Sequence, residues 1–215
     1  MAENIIPQTF QLQSLSIFLG GFAFMAGASY LCQSIIHRLC RFNLISMGNK
    51  ETIIHPTAII YDNVIIEDGV YIGAYCVIGA EPEWKGKEGE GKGVIIRSGT
   101  RLTGFVTIDS GAEGVTYIGQ NCYIMKHTYI AHDVTLKDNV TISAGVSIGG
   151  LCTIGQNTNI GMNAAIHQKV KVPEGCMIGM GAVITKRTEM ERYCKYAGVP
   201  AKFIGYNDRH NIPKL

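Results

Sequence analysis

A six-residue period runs through most of this chain, and it leaves few folds open. Aligned in sixes from Ile54, isoleucine falls at 54, 60, 66, 72 and 78, with Ala58, Val64, Val70 and Cys76 four places after the first four. A second run places Ile, Leu or Val at 118, 124, 130, 136, 142, 148, 154, 160, 166, 172, 178 and 184. Four places after each of these sit Cys122, Thr128, Val134, Val140, Val146, Cys152, Thr158, Ala164, Val170, Cys176, Ala182 and Thr188, all small or β-branched. Between the runs Ile96, Leu102 and Ile108 keep the count, and a slip occurs before Ile118. Six is far from any spacing that keeps one face of a helix apolar. It suits short strands that turn a corner after every hexad, three strands to a coil, the large aliphatic filling the interior and the small residue sitting near the corner. Asn63, Gly69, Asn121, Asp133, Asn139, Gly145, Asn157, Asn163, Gly175 and Gly181 precede small residues. These residue types tolerate the left-handed backbone that a tight corner needs. The expectation is an all-β fold, a left-handed parallel β-helix of hexapeptide repeats, stacked at about 4.8 Å per coil.

The cysteines obey the same period. Cys76, Cys122, Cys152 and Cys176 occupy small inward positions and read as core thiols. Cys122 and Cys176 share a face but lie three coils apart, roughly 14 Å, too far for a disulfide. Seven cysteines without a paired motif suit a reducing compartment. A net charge of +2 with scattered basic residues argues against nucleic acid as a partner. Charge and glycine interrupt the repeat from Ala80 to Gly93, which reads as an extruded loop carrying the only tryptophan, Trp84. A regular prism has few concavities, so this loop and the groove between neighbouring prisms are where a ligand pocket would form.

Three regions follow. Residues 1–46 form an apolar N-terminal segment in which Leu15 to Ile36 is long enough to cross a bilayer as a helix. The basic flank at His37, Arg38 and Arg41 would then keep the following domain in the cytoplasm. A helix packed on the domain or on a neighbouring subunit is the competing reading, and Met47 offers an alternative start. Residues 47–190 form the β-helix domain with its loop at 80–93, and residues 191–215 a short C-terminal tail.

Among six histidines, His132 stands out. It lies beside Asp133 at a corner between inward Ile130 and Val134, so both are expected to face outward. An imidazole beside a carboxylate can serve as a general base near neutral pH. His127 and His132 also have the spacing of a β-helical zinc site, but the third ligand would fall at Gly91, so no metal is assigned.

IHPTAII at the start of the repeat, the loop after Ile78-Gly79, IAHD at 130–133, AAIHQ at 164–168 and the His132-to-His167 separation of thirty-five carry a resemblance. From Ile54 to Arg187 the chain resembles the UDP-N-acetylglucosamine O-acyltransferases that begin lipid A synthesis. The resemblance implies that His132 is the general base, Asp133 orients it and the Gly150 N–H stabilises the oxyanion. It further implies that His167 and Gln168 contact substrate and that the protein is a homotrimer; Glu83 and Lys85 on the loop and Tyr129 beside His132 are further candidate substrate contacts, and a cytoplasmic location is expected. Two positions that carry supporting histidines in the family are Tyr129 and Leu151 here. The tail has no room for the family's helical C-terminal domain. It contains Gly198-Val199-Pro200-Ala201-Lys202, similar to the ending of β-helical acetyltransferases, which implies that Gly198, Pro200 and Lys202 lie by acetyl-CoA.

The expected activity is transfer of an acyl group, acetyl in first place, from CoA to a hydroxyl or amino group of a nucleotide-linked sugar, with no bound cofactor. A long-chain acyl donor on acyl carrier protein is the alternative within the class. A zinc protein of the carbonic anhydrase type and a non-catalytic scaffold are the alternatives outside it.

Overall fold

The computed structural model describes residues 51–89 and 91–207. They form a parallel β-helix whose strands, mostly two residues long, line up in three sheets of nine, seven and six strands, one per face of a prism. On the first face Ile54, Ile72, Leu102, Ile124, Ile142, Ile160, Ile178 and Tyr196 stand in register. The second face stacks Ile60, Ile78, Ile108, Ile130, Ile148, Ile166 and Ile184. The third stacks Ile66, Ile96, Ile118, Leu136, Ile154 and Val172. Each ladder places like over like and fills the axis with aliphatic side chains, each worth about 1.5–3 kcal/mol when buried. From Ile72 to Ile184 these ladder residues are at most 3% exposed, whereas Ile54, in the first described coil, is 43% exposed.

Two excursions leave the prism, both between the second and third faces. Ile78 pairs with Ile108, thirty residues on and twelve more than a coil, because residues 81–93 project between strands Val77–Ala80 and Val94–Ile96. Ile108 pairs with Ile130, twenty-two residues on, because a shorter loop at 110–115 adds four. That shorter loop is the slip seen in the sequence.

The corners adopt left-handed backbone as expected at Gly69, Asn121, Asp133, Asn139, Gly145, Asn157, Asn163, Gly175 and Gly181. Asn63 does not. Its side chain instead donates to Gly91 O at 3.3 Å and Ser110 Oγ at 3.2 Å, tying the ends of both excursions to the coil below. Six further corners carry positive φ on Tyr75, Phe105, His127, Leu151, Lys169 and Tyr193, types that give no turn signal. The stacked coils impose the corner geometry whatever the side chain. At the far end, strands Cys194–Ala197 and Lys202–Tyr206 form an antiparallel hairpin, and buried Tyr196 closes the last coil with its hydroxyl accepting from Glu191 N–H at 2.7 Å.

The apolar N-terminal segment and the predicted helix within it lie outside the described residues. Among those residues, no helix is long and apolar enough to cross a membrane.

Candidate active site

The two excursions meet at one corner. Strand Tyr129–Ile130 ends there, and the chain turns through His132 and Asp133, where φ is +57°. His132 Nδ1 lies 2.8 Å from Asp133 Oδ2. The 110–115 loop wraps the same carboxylate in backbone donors: Ala112 N–H at 3.1 Å, Glu113 at 3.0 Å and Gly114 at 2.7 Å. Successive amides aimed at one anion make a nest. Its closure depends on Gly111, where a Cβ would run into the Gly114 carbonyl. Burial draws the Asp133 pKa upward, but donation from Gly114, the imidazole, Ala112 and Glu113 outweighs it and holds the carboxyl below its ordinary value. An ionised Asp133 accepts, so the hydrogen bond assigns the imidazole proton to Nδ1 and leaves Nε2 as the basic nitrogen.

His132 sits at the outward corner but is covered and not exposed as that position suggests; it is 7% exposed. The cause is the longer loop, which lays Trp84 over the imidazole with ring centroids 5.0 Å apart. Gly150, one coil on, closes the other edge: a Cβ there would stand 2.5 Å from both Cε1 and Nε2 of His132. Leu151 N–H donates to the His132 carbonyl at 3.0 Å, and Lys169 N–H to the Gly150 carbonyl at 2.9 Å. The corners of three successive coils thus form one column. His167 and Gln168 belong to the third, with Gln168 N 2.6 Å from where a Gly149 Cβ would be.

Beside the dyad lies a second polar group. Tyr129 donates its hydroxyl proton to Asp109 Oδ2 at 2.5 Å, and the Tyr129 hydroxyl also lies 3.4 Å from Glu83 Oε2. Asp109 is 2% exposed. Burial raises its pKa and the Glu83 charge adds to the rise, against the bonds donated by the Tyr129 hydroxyl and the Glu83 backbone N–H and the attraction of His132. The Tyr129 phenol is pushed far up by its own burial and by Asp109, so it stays protonated.

Of the residues expected from sequence, His132, Asp133, Gly150, Tyr129 and Glu83 come together, with Gln168 and His167 two coils on. Lys85 is exposed next to Trp84 on the loop. Gly198, Pro200 and Lys202 are elsewhere: Gly198 accepts from Val183 N–H, on the strand three coils beyond Tyr129, which is roughly 14 Å along the axis. Two residues escaped the sequence reading as site members. Asp109 falls in no motif, its only signal being a carboxylate directly after an inward isoleucine at the slip, and Trp84 had only its rarity. His127, at the other end of its strand, stacks on Phe105 with centroids 5.1 Å apart. No group of three His, Cys, Asp or Glu side chains able to hold a metal occurs among the described residues.

Comparison with known proteins agrees with this fold. Over 71 residues the chain is 44% identical to an acyl-[acyl-carrier-protein]–UDP-N-acetylglucosamine O-acyltransferase of Thermodesulfovibrio yellowstonii, a stretch covering 33% of this chain and only 21% of that relative. The UDP-N-acetylglucosamine acyltransferase of Campylobacter jejuni superimposes with a TM-score of 0.63 at 26% identity, over 75% of this chain and 79% of that one. The Bacteroides fragilis enzyme of the same description gives 0.70 at 26% identity, over 74% and 62%. Residues 50–80, 116–150 and 151–186 match the bacterial transferase hexapeptide pattern of six repeats. The matched segments lie on coils of the prism, and the chain belongs to the bacterial transferase hexapeptide family.

Proposed function

We propose that this chain is an acyltransferase moving an acyl group from a thioester to a nucleotide-linked sugar, with His132 as general base. The observation that carries the reading is the buried imidazole, oriented by Asp133 through Nδ1 and held between Trp84 and Gly150 with Nε2 as its basic atom. An acceptor hydroxyl or amine placed at Nε2 loses its proton as it attacks the thioester carbonyl. The Gly150 N–H donates to the oxyanion that develops, and the imidazolium returns the proton to the departing thiolate. Asp133 stabilises the transient positive charge. His167 and Gln168 line the continuation of the column for the rest of the substrate, and Lys85 on the projecting loop supplies a cation for a diphosphate.

The Thermodesulfovibrio relative and the solved acyltransferases favour UDP-N-acetylglucosamine as acceptor and an acyl-carrier-protein donor. Acetyl-CoA is the second reading, supported by the Gly198–Lys202 turn at the end of the prism.

The test is thiol release from acetyl-CoA and from acyl-carrier-protein thioesters in the presence of UDP- and dTDP-linked sugars. His132→Ala is expected to lower acceptor-dependent release by about a hundredfold or more. Equal release by variant and wild type would remove His132 from the mechanism.

A further inference from the structure

The first described coil is as apolar outside as inside. Ile53, Ile59 and Ile65 alternate with the inward Ile54, Ile60 and Ile66, one on each face of the prism, and are 51%, 57% and 59% exposed. Ile54 is itself 43% exposed, and Tyr61, just past the second strand, 44%. Followed along the ladders, the same three outward positions hold Thr141, Ser147 and Thr153 four coils on. A belt of three outward isoleucines occurs in no other described coil, and an apolar belt of this kind marks a contact surface.

Its geometry selects the occupant. The three side chains lie at one level and point away from the axis in three directions. A second copy lying alongside covers the face turned toward it and leaves the others in water. A copy stacked end to end covers the open core at Ile54 but not the radial side chains. A fluid apolar medium entered end-on covers them all. The sequence ahead of the coil agrees, since Asn4 to Ile36 contains no charged residue. Charge then fixes the kind of surface. Residues 51–70 include Glu51, Asp62, Glu67 and Asp68 and no lysine or arginine, so an anionic surface repels this end and apolar insertion alone holds it.

We propose that the first coil is a lipid-contact belt and that the prism stands with this end in the interface of a zwitterionic bilayer. Ile53, Ile59 and Ile65 enter the acyl boundary, and Tyr61 sits at the level of the headgroups. The His132 corner, three coils beyond Ile60 on the second face, then stands roughly 14 Å from the belt along the axis. The proposal is independent of the acyl-transfer reading.

The experiment places a tryptophan at position 53, 59 or 65 of the full chain in a Trp84→Phe background, with Thr141→Trp as the control. After reconstitution into phosphatidylcholine vesicles, quenching by brominated phosphatidylcholine is read for each. All three belt positions are expected to lose most of their emission, and position 141, roughly 19 Å further along the axis, to keep it. Quenching at the belt should fall when phosphatidylglycerol replaces phosphatidylcholine. The three belt substitutions fall on exposed outward positions, so the inward ladders that fold the chain are left intact. No quenching at the belt, equal quenching at position 141, or stronger quenching in phosphatidylglycerol would overturn the inference. So would belt emission that is already blue-shifted in buffer and unchanged by lipid, the mark of a cover made of protein, whether residues 1–46 or a second copy.

Discussion

Asp109 and Asp133 flank the same imidazole, and their pKa values are shifted in opposite directions. Asp133 is held low by the amides around it, so its contribution to stability is complete above the unfolded carboxyl value of about 3.9 and is lost as pH falls through the lower folded value. Asp109 is raised by burial, so the native state binds its proton more tightly than the unfolded chain does. Stability therefore drops as pH rises from about 3.9 through the raised value. Thermal melts should show both signs: Asp133→Asn lowers Tm at pH 7, Asp109→Asn raises it, and both differences shrink toward pH 3. Gly150 carries a different kind of constraint. Gly150→Ala drives a methyl group into the basic edge of His132, so turnover should fall by about a hundredfold for a stability loss of about 1–3 kcal/mol, read by kcat and by denaturant titration.

At the scale of elements, the two loops divide the work on one histidine: 110–115 fixes its carboxylate partner and 81–93 covers its ring. Gly111→Ala should open the nest and cost activity about tenfold or more, with the circular dichroism of the prism unchanged, because no ladder residue lies in that loop. The corners give a cleaner measure of backbone strain. Lys169 is exposed with φ of +64°, and Lys169→Gly should stabilise the fold by about 0.5–1 kcal/mol in urea titration. These elements also show where sequence reading stops. The hexads announced every inward isoleucine because the side-chain period follows from the pleat alone. The loops carry no period, so the slip before Ile118 looked like lost register and concealed the amides that hold Asp133. His132 and Asp133 were visible as neighbours, but their hydrogen bond, the burial of the ring under Trp84 and the presence of Asp109 depend on contacts made across coils.

Along the whole molecule, stability is a sum over coils and the interfaces between them. Ile142→Ala, in the middle of the first-face ladder, should cost about 2–5 kcal/mol, whereas Ile54→Ala in the first described coil should cost under about 1 kcal/mol in the same denaturant series. The same independence governs the excursions. After twelve extra residues, and again after four, the next strand pairs with the coil below so that the inward isoleucines stay stacked, the one register shift falling between Ile78 and Ala80 where the longer excursion begins. Lengthening such a loop twofold costs only about 0.6 kcal/mol of closure entropy. The spindle and its tooling can thus be altered separately: insertion, deletion or grafting at residues 81–93 and 110–115 would recut the surroundings of His132 while the axle of isoleucines turns as before.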